Sequence, residues 1–186
     1  MGHALENSLD AIRAAARLRA DAVELDVRIR QGTLVCAHDR GQDGPPLQRA
    51  LDLALDLGLR VELDMKESGR RPLSALAEHL DRAGAHERAW VSTFHPLAAW
   101  RLRHLDPRLV VGWSIARSWA ERLPLWSGWP QWLGLQVIEP EVGLLTPERR
   151  ALWQSQGLVV ETWCVPLPHA RHYLDDDVSV VLDTLE

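Results

Sequence analysis

The sequence predicts an α/β fold, a TIM (β/α)8-type barrel that lacks its first strand. Three observations lead there. Helical and strand patterns alternate along most of the chain, which implies parallel strands joined by helical crossovers. No glycine-rich phosphate loop follows the first strand, as a doubly wound sheet would require. Seven candidate parallel strands and one hairpin strand can be counted, in 186 residues. A complete barrel has eight parallel strands and typically about 250 residues. The deficit is placed at the front, because the chain opens on a helix.

Each element has a local reason. Asn7 or Ser8 can cap a first helix, with Asp10 in its first turn and an apolar stripe through Leu9, Ile12, Ala16 and Leu18. Residues 22–29 (AVELDVRI) alternate with period two and read as a strand. Gln31-Gly32 is a turn signal, so 34–37 closes a hairpin. Helices are then expected at 47–57, 73–83, 96–105, 147–156 and 168–174, and strands at 60–66, 89–94, 109–115, 135–139, 158–165 and 178–183. The absence of a repeat or linker predicts one domain spanning 1–186.

Composition narrows the function classes. At 46% hydrophobic and 25% charged, the chain has the make-up of a folded globular protein. A net charge of −5 argues against nucleic acid as a partner. No apolar run reaches about eighteen residues, the length of a membrane span. Cys36 and Cys164 are too few for a disulfide framework and too far apart for a CxxC metal site. With no leader pattern after Met1, a cytoplasmic location is expected.

The chemistry gathers on two strands. Glu24 and Asp26 share one face of the first strand, opposite Val23, Leu25 and Val27. Glu62, Asp64 and Lys66 repeat the device on the next, opposite Val61, Leu63 and Met65. Two acidic strand faces suggest a shared site of hard oxygen ligands, hence Mg²⁺ or Ca²⁺ rather than zinc; ordinary solvated strand faces would give the same alternation. His38-Asp39 ends the hairpin strand, and Lys66 is the sole lysine beside twenty arginines. A compact ammonium there differs in kind from a guanidinium fork.

These segments resemble the glycerophosphodiester phosphodiesterase family of TIM-barrel, phospholipase C-like phosphodiesterases. Residues 5–8 (LENS) are similar to its PENT motif, 22–28 (AVELDVR) to its ExDV strand, 34–39 (LVCAHD) to its hairpin ending in HD, and 63–66 (LDMK) to its E-x-K strand. Ser92-Thr93-Phe94, Trp163-Cys164-Val165 and Asp183 fit its later SF, WTV and TD signals. The resemblance implies divalent-metal hydrolysis of glycerophosphodiesters, small-molecule substrates, to an alcohol and glycerol phosphate. It implies Glu24 and Asp26 as metal ligands, with Asp64 in place of a third acid for which Glu62 competes. It further implies His38 as one of two acid/base histidines, and Lys66 and Trp163 at the substrate.

Three departures shape the expectation. The family's HRG motif is missing, and His3, followed by Ala, is a poor surrogate for its histidine. The chain is therefore expected to begin inside the domain, and to be impaired in catalysis as it stands. Leu5 and Pro166 replace the Pro of PENT and the Asn of WTVN. Trp113, Trp119, Trp126, Trp129 and Trp132 crowd into twenty residues, read as packing against the barrel, with an apolar lip touching lipid as the alternative. The competing functions are a phospholipase D-type enzyme acting on lysolipid or sphingolipid head groups, and a non-catalytic relative serving as a binding module. His95, His104, His169 and His172 read as surface residues.

Overall fold

Alternation along the strands fixes two faces, and the protein uses both. The computed structural model describes residues 5–120, 129–165, 167–174 and 178–182. A first helix, α1 (Leu9–Arg17), leads into β1 (Ala22–Arg30) and the hairpin strand β2 (Thr33–Cys36). There follow α2 (Leu47–Asp56), β3 (Arg60–Met65), α3 (Arg70–Ala83), β4 (Ala89–Ser92), α4 (Pro96–Leu105) and β5 (Val110–Ile115). Two short helices, α5 (Arg117–Ala120) and α6 (Trp129–Trp132), precede β6 (Val137–Pro140). A 3-10 turn (Val142–Leu144), α7 (Pro147–Ser155), β7 (Val159–Thr162), α8 (Leu167–Leu174) and β8 (Ser179–Val180) complete the order.

The eight strands form one sheet in the order β2-β1-β3-β4-β5-β6-β7-β8. All neighbours are parallel except β1 and β2. This is the expected barrel-type α/β architecture, with seven parallel strands and one hairpin strand. Among the described residues no strand joins β1 to β8, so the sheet is an open barrel wall.

The outward strand residues Leu25, Val27, Val61, Leu63, Val91, Val111, Trp113, Ile138 and Val160 are buried in one apolar cluster. Helix residues Leu51, Leu76, Leu80, Leu102 and Trp153 complete it from the other side. Burial of this kind contributes about 1.5–3 kcal/mol for each large apolar side chain. Trp113 belongs to this cluster, the packing role read from the sequence, whereas Trp132 is 84% exposed. Trp126, and the side chains of Trp119 and Trp129, lie outside the described residues, as do His3, Pro166 and Asp183.

Strands β4 and β7 end earlier than their apolar patterns suggest. Strand β4 ends at Ser92; beyond it the Thr93 hydroxyl donates to the Met65 carbonyl at 2.8 Å, the Thr93 carbonyl still accepts from Ser114 N, and Phe94 enters the cavity wall. Strand β7 stops at Thr162, where Cys164 takes a left-handed φ of 59°. Ser8, rather than Asn7, caps α1, accepting from Ala11 N at 3.1 Å.

Candidate active site

The inward strand residues make a polar interior. Register sets Glu24 beside Glu62, and Asp26 beside Asp64. Farther round, Ser114 pairs with Glu139. A cavity of about 280 Å³ opens among these residues, walled also by Glu6, His38, Lys66, Phe94, Glu161 and Trp163. It lies toward the C-terminal ends of the parallel strands, where barrels of this type carry their chemistry. All six site residues read from the sequence line this one cavity: His38, Glu24, Asp26, Asp64, Lys66 and Trp163.

Three carboxylates converge first. Glu24, Asp26 and Asp64 each offer an oxygen within 4.8 Å of the other two. Glu62, the competing acid, is not in that group; its carboxylate accepts from Ser92 Oγ at 2.6 Å, deeper in the wall. Asp64 Oδ1 is buried with no hydrogen-bond donor, while Oδ2 contacts Lys66 Nζ. The same ammonium reaches Asp26 Oδ1. Burial alone would pull the Lys66 pKa down, but Asp64 and Asp26 outweigh it and raise it, so the side chain stays charged. Burial raises Asp64, and raises Glu24 well above the ordinary carboxylate range with help from Asp26 and Asp64. A buried oxygen lacking a donor, in a cluster of hard acids, fits a divalent cation better than it fits water-filled space.

His38 sits at the mouth, roughly half exposed. The hairpin returns it to the level of the acids: Ala37 N donates to the Asp26 carbonyl at 3.0 Å, and Arg28 Nε to the His38 carbonyl at 2.8 Å. Asp39 Oδ1 lies 3.3 Å from His38 Nδ1. His38 is the one imidazole on the cavity among the described residues. Opposite, Phe94 and Trp163 meet edge to face with centroids 5.6 Å apart, and Trp163 Nε1 donates to the Glu139 carbonyl at 2.9 Å.

The floor holds acids the sequence reading passed over. Glu139 and Glu161 stand beside Glu62, all raised by burial first and by one another second; Glu161 reaches about 8. Such groups keep their protons, so the floor carries less negative charge than its composition implies. Each is a single acid after an apolar pair (VIE at 137–139, VVE at 159–161), and that interruption of a buried strand was the available signal. Gly112 makes room here, since a Cβ on it would lie 2.3 Å from Glu139 Oε1. A second acid and histidine cluster, Asp81, His86 and Asp106, is already engaged: Arg108 Nη2 donates to Asp81 at 2.7 Å and to Asp106 at 2.8 Å.

Residues 1–57 match the model of the glycerophosphoryl diester phosphodiesterase family. No curated protein matches the chain. A glycerophosphodiester phosphodiesterase from Parabacteroides distasonis is similar in fold, with 18% identity, TM-score 0.78, and 94% of this chain and 85% of that one covered. A phosphodiesterase from Oleispira antarctica, in complex with the product sn-glycerol-3-phosphate, gives 17% identity, TM-score 0.76 and coverage of 95% and 86%. The glycerophosphodiester phosphodiesterase from Thermotoga maritima gives 18%, 0.65, and 96% and 88%. The resemblance read from the motifs is thus matched in sequence over residues 1–57, by the glycerophosphoryl diester phosphodiesterase family model, and the whole chain is similar in fold to solved structures of phosphodiesterases of that kind.

Proposed function

We propose that the cavity hydrolyses glycerophosphodiesters to an alcohol and a glycerol phosphate, with Glu24, Asp26 and Asp64 holding a divalent cation, Mg²⁺ or Ca²⁺. The observation that carries this reading is the meeting of those three carboxylates within 4.8 Å, beside Lys66 and under His38. The similarity to phosphodiesterases, one of them holding sn-glycerol-3-phosphate, supports the substrate class. The cation, when bound, supplies Lewis-acid neutralisation of the phosphoryl oxygens.

The chain's own groups do the rest. Lys66 places a fixed ammonium where charge builds on the phosphoryl oxygens. His38, whose Nδ1 lies 3.3 Å from Asp39 Oδ1, uses its imidazole to take a proton from the attacking hydroxyl or return one to the leaving alkoxide. Phe94 and Trp163 form an apolar wall for the carbon skeleton. Proton-bearing Glu139 and Glu161 keep the floor from repelling the anionic substrate.

The test is release of glycerol phosphate from glycerophosphocholine with Mg²⁺, with Ca²⁺ and with EDTA, and lysophosphatidylcholine as a parallel substrate. Slow metal-dependent release, abolished by EDTA, is expected, the rate being held down by the missing HRG histidine. Turnover of lysophosphatidylcholine alone would move the assignment to a lysolipid phosphodiesterase. No turnover of either would leave the binding-module alternative.

A further inference from the structure

Asn7 stands in an unusual place for a polar side chain. It precedes the Ser8 cap of α1 with φ 57°, in the left-handed region that asparagine tolerates better than most residues. The conformation turns its amide inward, leaving it 9% exposed. There the amide makes two bonds to one residue nineteen positions later: Asp26 N donates to Asn7 Oδ1 at 2.8 Å, and Asn7 Nδ2 donates to Asp26 Oδ2 at 2.7 Å.

This clamp decides which part of Asp26 is free. On this side of β1, the hairpin ladder with β2 covers only Val27 to Arg30, so the Asp26 N–H finds its partner in Asn7 rather than in a strand. The Asp26 carbonyl is taken by Ala37 N, and Oδ2 by Asn7 Nδ2. That leaves Oδ1, which meets Lys66 Nζ beside the Glu24, Asp26 and Asp64 group. We infer that Asn7 is a positioning residue: it locks the Asp26 carboxylate so that one oxygen alone serves the cation, and it thereby sets cation affinity. The inference rests on the cation reading of Glu24, Asp26 and Asp64. Partners that orient a ligand in this way typically change metal affinity 10- to 100-fold when removed.

The alternative role is a tether between α1 and the sheet, which would affect stability and leave affinity alone. Two variants separate the roles. Asn7→Gly keeps the left-handed backbone and removes the amide. Asn7→Asp keeps an acceptor for Asp26 N–H but sets a carboxylate against Oδ2. Mn²⁺ binding is read from the loss of the free-ion electron paramagnetic resonance signal, and melting is recorded in EDTA. Expected is a Mn²⁺ dissociation constant raised at least tenfold in both variants, at temperatures where each is folded in EDTA. Parent-like Mn²⁺ affinity in either folded variant overturns the positioning role and leaves the proposed function intact. Absence of Mn²⁺ binding by the parent chain overturns the cation reading itself, and this inference with it.

Discussion

Ser114 donates its hydroxyl proton to Glu139 Oε2 at 2.7 Å across β5 and β6, and leaves Glu139 Oε1 buried without a fixed donor. The carboxyl keeps its place because Gly112, two residues before Ser114, has no side chain to displace it. Gly112→Ala would drive a methyl group into Oε1 and should cost about 1–3 kcal/mol, the usual penalty for overpacking. In a Glu139→Ala background that penalty should largely vanish. Urea denaturation of the two single variants and the double variant measures the difference; additive effects would show that Gly112 and Glu139 do not compete for space.

Glu161 gives a pH prediction with a definite sign. Burial and Glu139 push it up to about 8, against about 4.3 in an unfolded chain. Between those values the folded chain holds a proton that the unfolded chain has released, so stability falls as pH rises through the window. Glu161→Gln removes this loss. Melting curves in EDTA should show the variant gaining on the parent from pH 5 to pH 8, with little further gain above. A gap that stays constant with pH would show that Glu161 is ionised in the fold.

Lys66 should resist conservative replacement. Its ammonium fits between Asp26 and Asp64, a space that suits a compact charge and not a planar fork. Lys66→Arg is expected to lower kcat on glycerophosphocholine by on the order of 100-fold, close to the effect of Lys66→Met. Steady-state kinetics at saturating Mg²⁺ would decide it, and near-parent turnover by the arginine variant would show that any positive charge suffices.

Burial predicts where stability resides. Leu63, on β3 at the centre of the apolar cluster, is fully buried, and Leu63→Ala should cost about 2–5 kcal/mol. Trp132 is 84% exposed, and Trp132→Ser should stay within about 0.5 kcal/mol. Urea midpoints for both variants provide the check.

The parts of this architecture written in local pattern were legible in the sequence. Period-two alternation on β1 and β3 identified both strands and both faces, and the motifs at residues 24–26, 38 and 64–66 named groups that the fold does bring together. Long-range partnership was not legible. Glu139 and Glu161 look like single acids in apolar strands until register and curvature set them beside Glu62. Asn7 offered itself as a helix cap, a local role that Ser8 takes, whereas its partner lies nineteen residues away. The ends of β4 and β7 also escaped, because the Thr93 hydroxyl bond to the Met65 carbonyl and the left-handed backbone of Cys164 are not carried by apolar spacing.

The strict segregation of β3 into two faces makes its reading frame unforgiving. Inserting a single residue ahead of Val61 and keeping the same pairing would exchange Glu62, Asp64 and Lys66 for Val61, Leu63 and Met65. Three charged groups would then press into the helix layer as three hydrocarbons filled the acidic cavity. Substitutions there can be graded, but a length change of one has no intermediate form: it deletes the chemistry and the packing together.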